Sequence, residues 1–189
     1  MAHDASTPLL RPMTFADCAA VAAVRVLGWQ HAYAGLVPQS HLDALDLDRE
    51  TELRRTQFGA AGPGTVNLVA ERAGEVVGWA CWGPYRTDGE PARPAHAELY
   101  ALYVRPDHLS CGAGRALTTA CVAGARAAGF TSLSLWVLAR NDRARRFYEK
   151  AGFVCDGVEE PFELDGALVP EVRYTSRLSE AAAAARSLG

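Results

Sequence analysis

The hydrophobic pattern between residues 97 and 153 predicts a strand, a glycine loop, a helix, a second strand and a second helix in one unbroken run. Residues 97–104 are aliphatic or aromatic apart from one glutamate, and Pro106 ends this strand. Gly112 and Gly114 then open an apolar-periodic segment that runs to Gly129. A helix N-terminus presents unpaired N–H groups and a positive dipole, and glycines allow close approach, so the loop is predicted to bind a phosphate.

The flanking segments complete one predicted domain over residues 9–178. Thr14, followed three residues later by Asp17, is a variant capping box that predicts a helix start. The other predicted elements are a strand over 9–12, a helix over 40–58, a hairpin of strands 65–71 and 76–82, and a last strand over 169–177. Residues 1–8 are expected to be disordered, and the alanine-rich residues 179–189 are expected to form a frayed tail.

The glycine loop lacks residues that the dinucleotide-binding and nucleotide-binding loop motifs require. A dinucleotide fingerprint needs a third glycine or alanine where this chain has Leu117, and an acidic residue about 20 positions further on. The sequence has no Asp or Glu between Asp107 and Asp142. A nucleotide P-loop is also excluded, because no Gly-Lys-Ser/Thr follows the glycines.

Composition narrows the class of protein further. The chain has 189 residues, of which 49% are hydrophobic and 22% are charged, and its net charge of −3 argues against a nucleic-acid partner. No stretch approaches the roughly 20 apolar residues of a membrane span, so no membrane partner and a cytoplasmic location are expected. The five cysteines show neither metal-site spacing nor a disulfide framework, so no metal is expected.

Two segments resemble the coenzyme A core of the GNAT acetyltransferase superfamily. Residues 109–114, LSCGAG, follow its Arg/Gln-x-x-Gly-x-Gly/Ala loop, with Leu109 in place of the polar first residue. Residues 141–153, NDRARRFYEKAGF, match its Asn-x-x-Ala-x-x-x-Tyr-x-x-x-Gly-Phe segment at every named position. The resemblance implies an α/β (α+β) fold, with a mixed, mostly antiparallel sheet of about six to seven strands and about four helices on both faces. It also implies a splayed strand pair that holds coenzyme A.

The resemblance further implies acetyl-coenzyme A as co-substrate and transfer of its acetyl group to a primary amine. Glu98 would be the general base and Tyr148 the acid that protonates the thiolate. Coenzyme contacts are expected at Leu102, Tyr103, Val104, Leu109, Ser110, Cys111, Gly112, Ala113, Gly114, Arg115, Asn141, Arg145 and Tyr148. Acceptor contacts are expected at Trp29, His31, Tyr33, Glu98 and Tyr100.

Several of these residues have a second interpretation. Pattern alone allows Glu98 to be a solvated edge residue or an ion-pair partner, and Tyr148 lies on the apolar face of its predicted helix. Trp29 and Tyr33 either line a pocket or close the end of the core. The acceptor is either a small-molecule amine or the N-terminus or a lysine of a protein, and the sequence allows a homodimer. The alternative function is a coenzyme A-binding module without catalysis.

Overall fold

The computed structural model describes residues 7–86 and 95–178, which form one seven-stranded sheet. The strand order is β1-β2-β3-β4-β5-β7-β6, and every neighbouring pair is antiparallel except β4 and β5. The predicted mixed, mostly antiparallel sheet is confirmed. The predictions of a disordered N-terminus and a frayed tail concern residues 1–8 and 179–189, of which 1–6 and 179–189 lie outside the described residues.

The strands of the described residues are β1 Leu9–Pro12, β2 Val66–Arg72, β3 Glu75–Pro84, β4 His96–Val104, β5 Ser132–Leu138, β6 Val154–Leu164 and β7 Ala167–Arg177. The helices are α1 Cys18–Ala32, α2 Gln39–Asp43, α3 Leu47–Gly59, α4 Ala113–Ala127 and α5 Asp142–Lys150, with 3₁₀ turns at Phe15–Asp17 and Pro106–His108. None of the helices in the described part of the chain is long and apolar enough to cross a membrane.

Helices cover both faces of the sheet, as predicted. One core cluster joins α4 to the sheet through Leu117 and Cys121, which are fully buried against β3, β4 and β5. A second cluster joins α1 to the opposite face, where Val21 and Val24 pack against Trp79. Apolar residues at helical spacing account for both contacts, because each helix turns one stripe toward the sheet.

The capping box and the glycine turns of two hairpins form as the local sequence indicates. Asp17 accepts hydrogen bonds from the Thr14 amide at 2.7 Å and the Thr14 hydroxyl at 2.8 Å, which forms the predicted capping box. The β2–β3 turn places Gly74 at φ +82°, and the β6–β7 turn places Gly166 at φ +77°. Positive φ at these turns suits two-residue hairpins and fixes the register of both strand pairs.

The single helix predicted over 40–58 is wrong. The segment divides into α2 and α3, because the Asp46 carboxylate accepts a hydrogen bond from the Arg49 amide at 2.8 Å and caps a new helix. The result is five helices in the described residues instead of about four.

A two-residue period over residues 97–104 predicts that Glu98, Tyr100, Leu102 and Val104 share one face of the strand, and this prediction is wrong. The β3–β4 register shifts between Cys81 and Trp82, whose partners are Ala101 and Leu99, so Tyr100 is an extra residue in β4. A bulge moves all later side chains to the other face. Leu102 therefore packs in the α4-side core, whereas Tyr100 and Glu98 line the cavity on the α1 side.

Candidate active site

Strands β4 and β5 separate soon after they meet. They pair only over three positions, His96 to Glu98 against Ser132 to Ser134. Beyond this apex, and among the described residues, β4 pairs only with β3 and β5 pairs only with β7. A cleft therefore opens between residues 99–104 and 135–138, and no strand in the described part of the chain pairs with the open edge of β4. The predicted splayed pair is present.

The direction of the β4 amides follows from one hydrogen bond. The Arg105 N–H donates to the Val77 carbonyl of β3 at 2.9 Å. Because successive amides of a strand point to opposite edges, the N–H groups of Leu102 and Val104 point into the cleft, whereas that of Tyr103 points toward β3. Two oriented donors thus face any ligand that lies along this edge.

The glycine loop leads from β4 to the N-terminus of α4. Ser110 and Gly112 have φ of +64° and +90°, so the loop turns sharply before Ala113 begins the helix. The first amides of the helix, at residues 113–115, have no acceptor within it. Gly114 lies against Phe147 of α5 and Val104 of β4, at 3.5 and 3.7 Å from the position of a Cβ. The loop, the strand edge and α5 therefore meet at one place.

Three of the predicted coenzyme contacts belong to helix α5 and its N-cap, namely Asn141, Arg145 and Tyr148. The Asn141 side chain caps it by accepting from the Ala144 amide at 3.1 Å. Arg145 donates to the Tyr174 hydroxyl at 3.1 Å and to the Ala139 carbonyl at 2.9 Å, which anchors α5 to the sheet. Arg115, from α4, is exposed beside the loop.

Tyr148 is half-buried between two aromatic rings. Its ring centroid lies 5.1 Å from that of Phe147 and 5.8 Å from that of Phe153. Burial, reinforced by Tyr103 and Cys121, holds the pKa of its hydroxyl well above the usual range. The hydroxyl therefore keeps its proton at neutral pH and is able to donate it.

Glu98 lies at the apex of the cleft and is 2% exposed. One carboxylate oxygen accepts from the Arg86 amide at 3.1 Å, and the other accepts from the Arg86 guanidinium, whose Nε lies at 3.2 Å. The guanidinium also stacks 4.5 Å above the Tyr100 ring. Of the interpretations open from the sequence, the solvated edge residue is therefore excluded, and the ion pair is observed.

A cavity of about 1070 Å³, here called the aromatic cavity, opens onto the cleft. It lies on the α1 side of the sheet. Its walls include Tyr103 of β4 and Leu138 of β5, the two strands that border the cleft. Its other aromatic walls include Trp29, Tyr33, Phe58, Trp79, Tyr85, Tyr100, Trp136 and Phe162. Its charged walls are Arg25, Arg54, Arg86, Arg173, Glu98, Glu160 and Glu171.

The predicted acceptor residues of α1 divide between two surfaces. Trp29 donates to the Tyr103 hydroxyl at 2.9 Å, and Tyr33 lies 3.4 Å from the same oxygen, so both line the aromatic cavity and tie α1 to β4. Burial raises the pKa of Tyr33. His31 is exposed outside the cavity, with Nε2 lying 3.1 Å from Nη1 of Arg143.

Two arginines of the cavity wall share one carboxylate. Glu50 Oε2 lies 3.0 Å from Arg25 Nη1, and Glu50 Oε1 lies 3.0 Å from Arg54 Nε, although this second pair is not aligned as a hydrogen bond. Burial and the charge of Arg25 lower the pKa of Arg54, whereas Glu50 opposes the shift. This side of the cavity therefore carries an excess of positive charge.

Comparison with known proteins decides the family. Residues 29–153 match the Acetyltransferase (GNAT) family. The chain belongs to the GNAT acetyltransferase family. The GNAT chain is 29% identical to the uncharacterized N-acetyltransferase YuaI of Bacillus subtilis, over 86% of this chain and 89% of that protein. It is also 29% identical to the L-amino acid N-acyltransferase MnaT of Escherichia coli, over 74% and 75% of the two chains.

The GNAT fold is also shared with solved structures. One is yncA of Salmonella typhimurium, described as an acetyltransferase with its cofactor acetyl-CoA. It superimposes with a TM-score of 0.68 at 23% identity, over 95% of this chain and 99% of that one. The chain is accordingly an acetyl-CoA-dependent N-acetyltransferase, and acetyl transfer to an amine is its general reaction.

The residues present fit acetyl-CoA as the co-substrate. The turned loop and the free amides of residues 113–115 suit a pyrophosphate, which helix N-termini bind. The open edge of β4 suits an extended chain that contains amides, since such chains add to unpaired strand edges. Leu109 is half-buried, so at this position the loop offers its backbone and not a polar side chain.

Sequence reasoning missed two functional candidates, Arg86 and Glu171. Arg86 follows β3 in a segment without a motif, and only the tertiary structure brings it to Glu98. Glu171 lies in β7, where Glu171 and Arg173 alternate with the buried Val172 and Tyr174. That alternation in the predicted last strand was the available signal, because it places the two charges together on the face opposite Val172 and Tyr174, which in this fold lines the aromatic cavity.

Proposed function

We propose that this GNAT enzyme acetylates the primary amine of a small acceptor that also carries a carboxylate, as an amino acid does. The observation that carries the proposal is the charge pattern of the aromatic cavity. Arg25 and Arg54 share Glu50, whereas none of the ion pairs among residues 7–86 and 95–178 includes Glu171. A zwitterion complements both groups, because its carboxylate pairs with guanidinium and its ammonium with carboxylate. MnaT, named an L-amino acid N-acyltransferase, supports the same class.

The size of the cavity favours a small acceptor over a protein N-terminus or lysine. Its volume of about 1070 Å³ lies just above the range of about 300–1,000 Å³ that is typical of small-molecule sites. Aromatic and charged side chains line the cavity together. Small-molecule sites combine apolar walls with polar groups that fix the orientation of the ligand.

Acetyl-CoA, when bound, supplies the acetyl group as an activated thioester. We assign its pyrophosphate to the amides of residues 113–115 and to Arg115, and its pantetheine arm to Asn141 and the β4 edge. The Leu102 N–H points into the cleft and is assigned to the thioester carbonyl oxygen, where one such donor is worth about 3 kcal/mol of transition-state stabilisation.

Acetyl transfer also requires that the acceptor amine lose a proton and that the leaving thiolate gain one. An alkyl amine with a pKa near 10 is protonated at neutral pH and cannot attack until a base removes a proton. The family resemblance predicts Glu98 as the base, a role that would require its carboxylate to exchange the Arg86 contact for the amine or a water. Tyr148 is assigned to protonate the leaving thiolate, because burial keeps its hydroxyl protonated at neutral pH.

A matched screen of acceptors tests the proposal. Purified protein is incubated with acetyl-CoA and L-amino acids, their methyl esters, and the corresponding amines that lack the carboxylate, and thiol release and product mass are measured. We expect kcat/KM to be highest for the free amino acids. Equal rates for esters and simple amines would remove the carboxylate from the proposal. Binding of acetyl-CoA without acetylation of any amine would favour the coenzyme-binding module.

A further inference from the structure

We infer that Glu171 is the carboxylate that accepts the proton of the acceptor ammonium, and that Glu98 is held by Arg86 as a fixed part of the cavity wall. The inference rests on the proposed function, because it requires an amine in the aromatic cavity. It assigns the base by geometry in this structure, whereas the Glu98 prediction was carried over from the family resemblance.

The position of Glu98 argues against direct contact with the reacting carbonyl. Glu98 pairs with Ser134 at the apex, where β4 and β5 are still hydrogen-bonded, and both of its oxygens accept from Arg86. Leu102, whose amide is assigned to the carbonyl oxygen, is four residues further along β4. Because of the bulge at Tyr100, these residues lie opposite Gly83 and Ala80, three positions apart on β3. At about 3.3 Å per position this is about 10 Å, beyond the reach of a glutamate side chain.

Glu171 lies at the matching depth on the other side of the cleft. It pairs with Leu138, which is four residues beyond Ser134 on β5. Leu138 packs in one cluster with Tyr103 and Tyr33, so side chains from β4, β5 and the end of α1 come together at this depth although the two strands are separated. Because Glu171 lines the aromatic cavity on this side, its carboxylate faces the space that an amine must occupy to reach the carbonyl.

The surroundings of Glu171 suit a group that takes and releases a proton. Four groups from other elements act on it: Glu160 directly opposite on β6, Glu98 on β4, Arg86 after β3, and Tyr33 on α1. Burial, together with the two other glutamates and against the influence of Arg86, raises the pKa of Glu171 to about 7. Near neutral pH the carboxylate is therefore partly ionised, as an efficient general base should be.

The proton balance of the reaction is complete with these groups. One proton passes from the acceptor ammonium to Glu171 and then to solvent. The freed amine forms a bond to the acetyl carbon, the bond from that carbon to sulfur breaks, and the thiolate takes the Tyr148 proton. The second proton lost by the nitrogen restores the Tyr148 hydroxyl, so the products are an amide, coenzyme A thiol and one released proton.

The test compares Glu171→Gln and Glu98→Gln with an acceptor identified by the screen. If Glu171 is the base, Glu171→Gln lowers kcat at pH 7 by about 10²–10⁴-fold, and the loss shrinks as the pH approaches the pKa of the acceptor amine. Glu98→Gln should lower kcat by a smaller factor, and that factor should be the same at every pH. Acetyl-CoA affinity, measured by calorimetry, should stay unchanged in both variants.

A second variant reports the proton-accepting role independently of folding. Because Glu160 raises the pKa of Glu171, Glu160→Gln should shift the acidic limb of the kcat/KM profile to lower pH. Glu163→Gln, in an exposed position of the same strand outside the cavity, should leave the limb in place.

Two outcomes would overturn the inference while the proposed function stands. One is wild-type acetylation with an unchanged Glu171→Gln rate across the pH range. The other is an acidic limb that Glu160→Gln does not move. If the wild type acetylates no amine, the proposed function itself fails.

Discussion

The coenzyme half and the acceptor half of this site are built in different ways. The proposed coenzyme half comes from one contiguous stretch, residues 97–153, and uses mainly backbone groups, at the edge of β4 and in the loop before α4, together with the Asn141 side chain that caps α5. The acceptor half takes side chains from α1, α3, β3, β6 and β7, which are far apart in sequence. A backbone site depends on local conformation and is shared across a family, whereas a site made of distant side chains is free to differ between members.

The largest effect should come from breaking the coenzyme half at Gly112. Gly112→Val places a β-branched residue at φ +90° and strains the loop that presents the helix amides. We expect the stabilisation by acetyl-CoA, about 2.7 kcal/mol at a hundredfold excess over Kd, to disappear in a thermal-shift assay. Gly129→Val is the matched control, because Gly129 has φ +87° at the other end of α4 and open space around it. An acetyl-CoA shift retained by Gly112→Val would contradict the assignment of the loop.

Next in size is the effect of Tyr148→Phe, which tests the chemistry at the meeting point of the two halves. Removal of the hydroxyl leaves the thiolate without its acid, so we expect kcat to fall about 10²-fold. Higher pH should not restore the rate, because a missing acid is not replaced by hydroxide. The measurement is a pH profile of kcat together with the Kd of acetyl-CoA. A loss that high pH repairs would instead assign Tyr148 to deprotonation.

A smaller and selective effect is expected from Arg54→Met in the acceptor half. The methionine keeps an apolar stem against Trp79, and Glu50 retains Arg25. We expect KM for an amino acid acceptor to rise about tenfold, in line with the loss of one charge-assisted hydrogen bond. KM for the matched amine without a carboxylate should not change. Equal changes for both acceptors would show that Arg54 shapes the cavity but does not bind the carboxylate.

The smallest effect concerns stability and Glu171. Its folded-state pKa of about 7 exceeds the ordinary value of 4.5. Between these two pH values the folded protein therefore holds a proton that the unfolded chain has released. Stability attributable to this group is therefore present below about pH 4.5 and is lost as the pH rises through 7. Glu171→Gln removes that loss and should stabilise the protein at pH 8 by about 1 kcal/mol, after discounting for solvent screening. Urea unfolding at pH 8 and pH 4.5 measures the difference, which should vanish at the lower pH.

Together, the last two variants sharpen the contrast between the halves. Changes to side chains of the aromatic cavity should alter acceptor kinetics and stability while acetyl-CoA binding remains. A cavity variant that abolished coenzyme binding would show that the two halves are one energetic unit.

The sequence by itself predicted the residues proposed for the coenzyme half and most elements of the fold. Positive φ at Gly112, the Asn141 cap and the turns at Gly74 and Gly166 depend on residues within a few positions of each other, so short patterns report them. The Asp46 cap that divides α2 from α3 is equally local, and it was missed because apolar periodicity continues across it.

Only the tertiary structure decided the acceptor half. The bulge at Tyr100 depends on how β3 lies against β4, and it determines which side chains of β4 face the cavity. The Arg86–Glu98 pair joins residues 12 positions apart, and Glu171 joins the site from 73 positions beyond Glu98. Charge and pKa depend on the surroundings of a side chain in space, and packing of the whole sheet creates those surroundings. A residue such as Glu171 therefore acquires its properties only when the chain has folded.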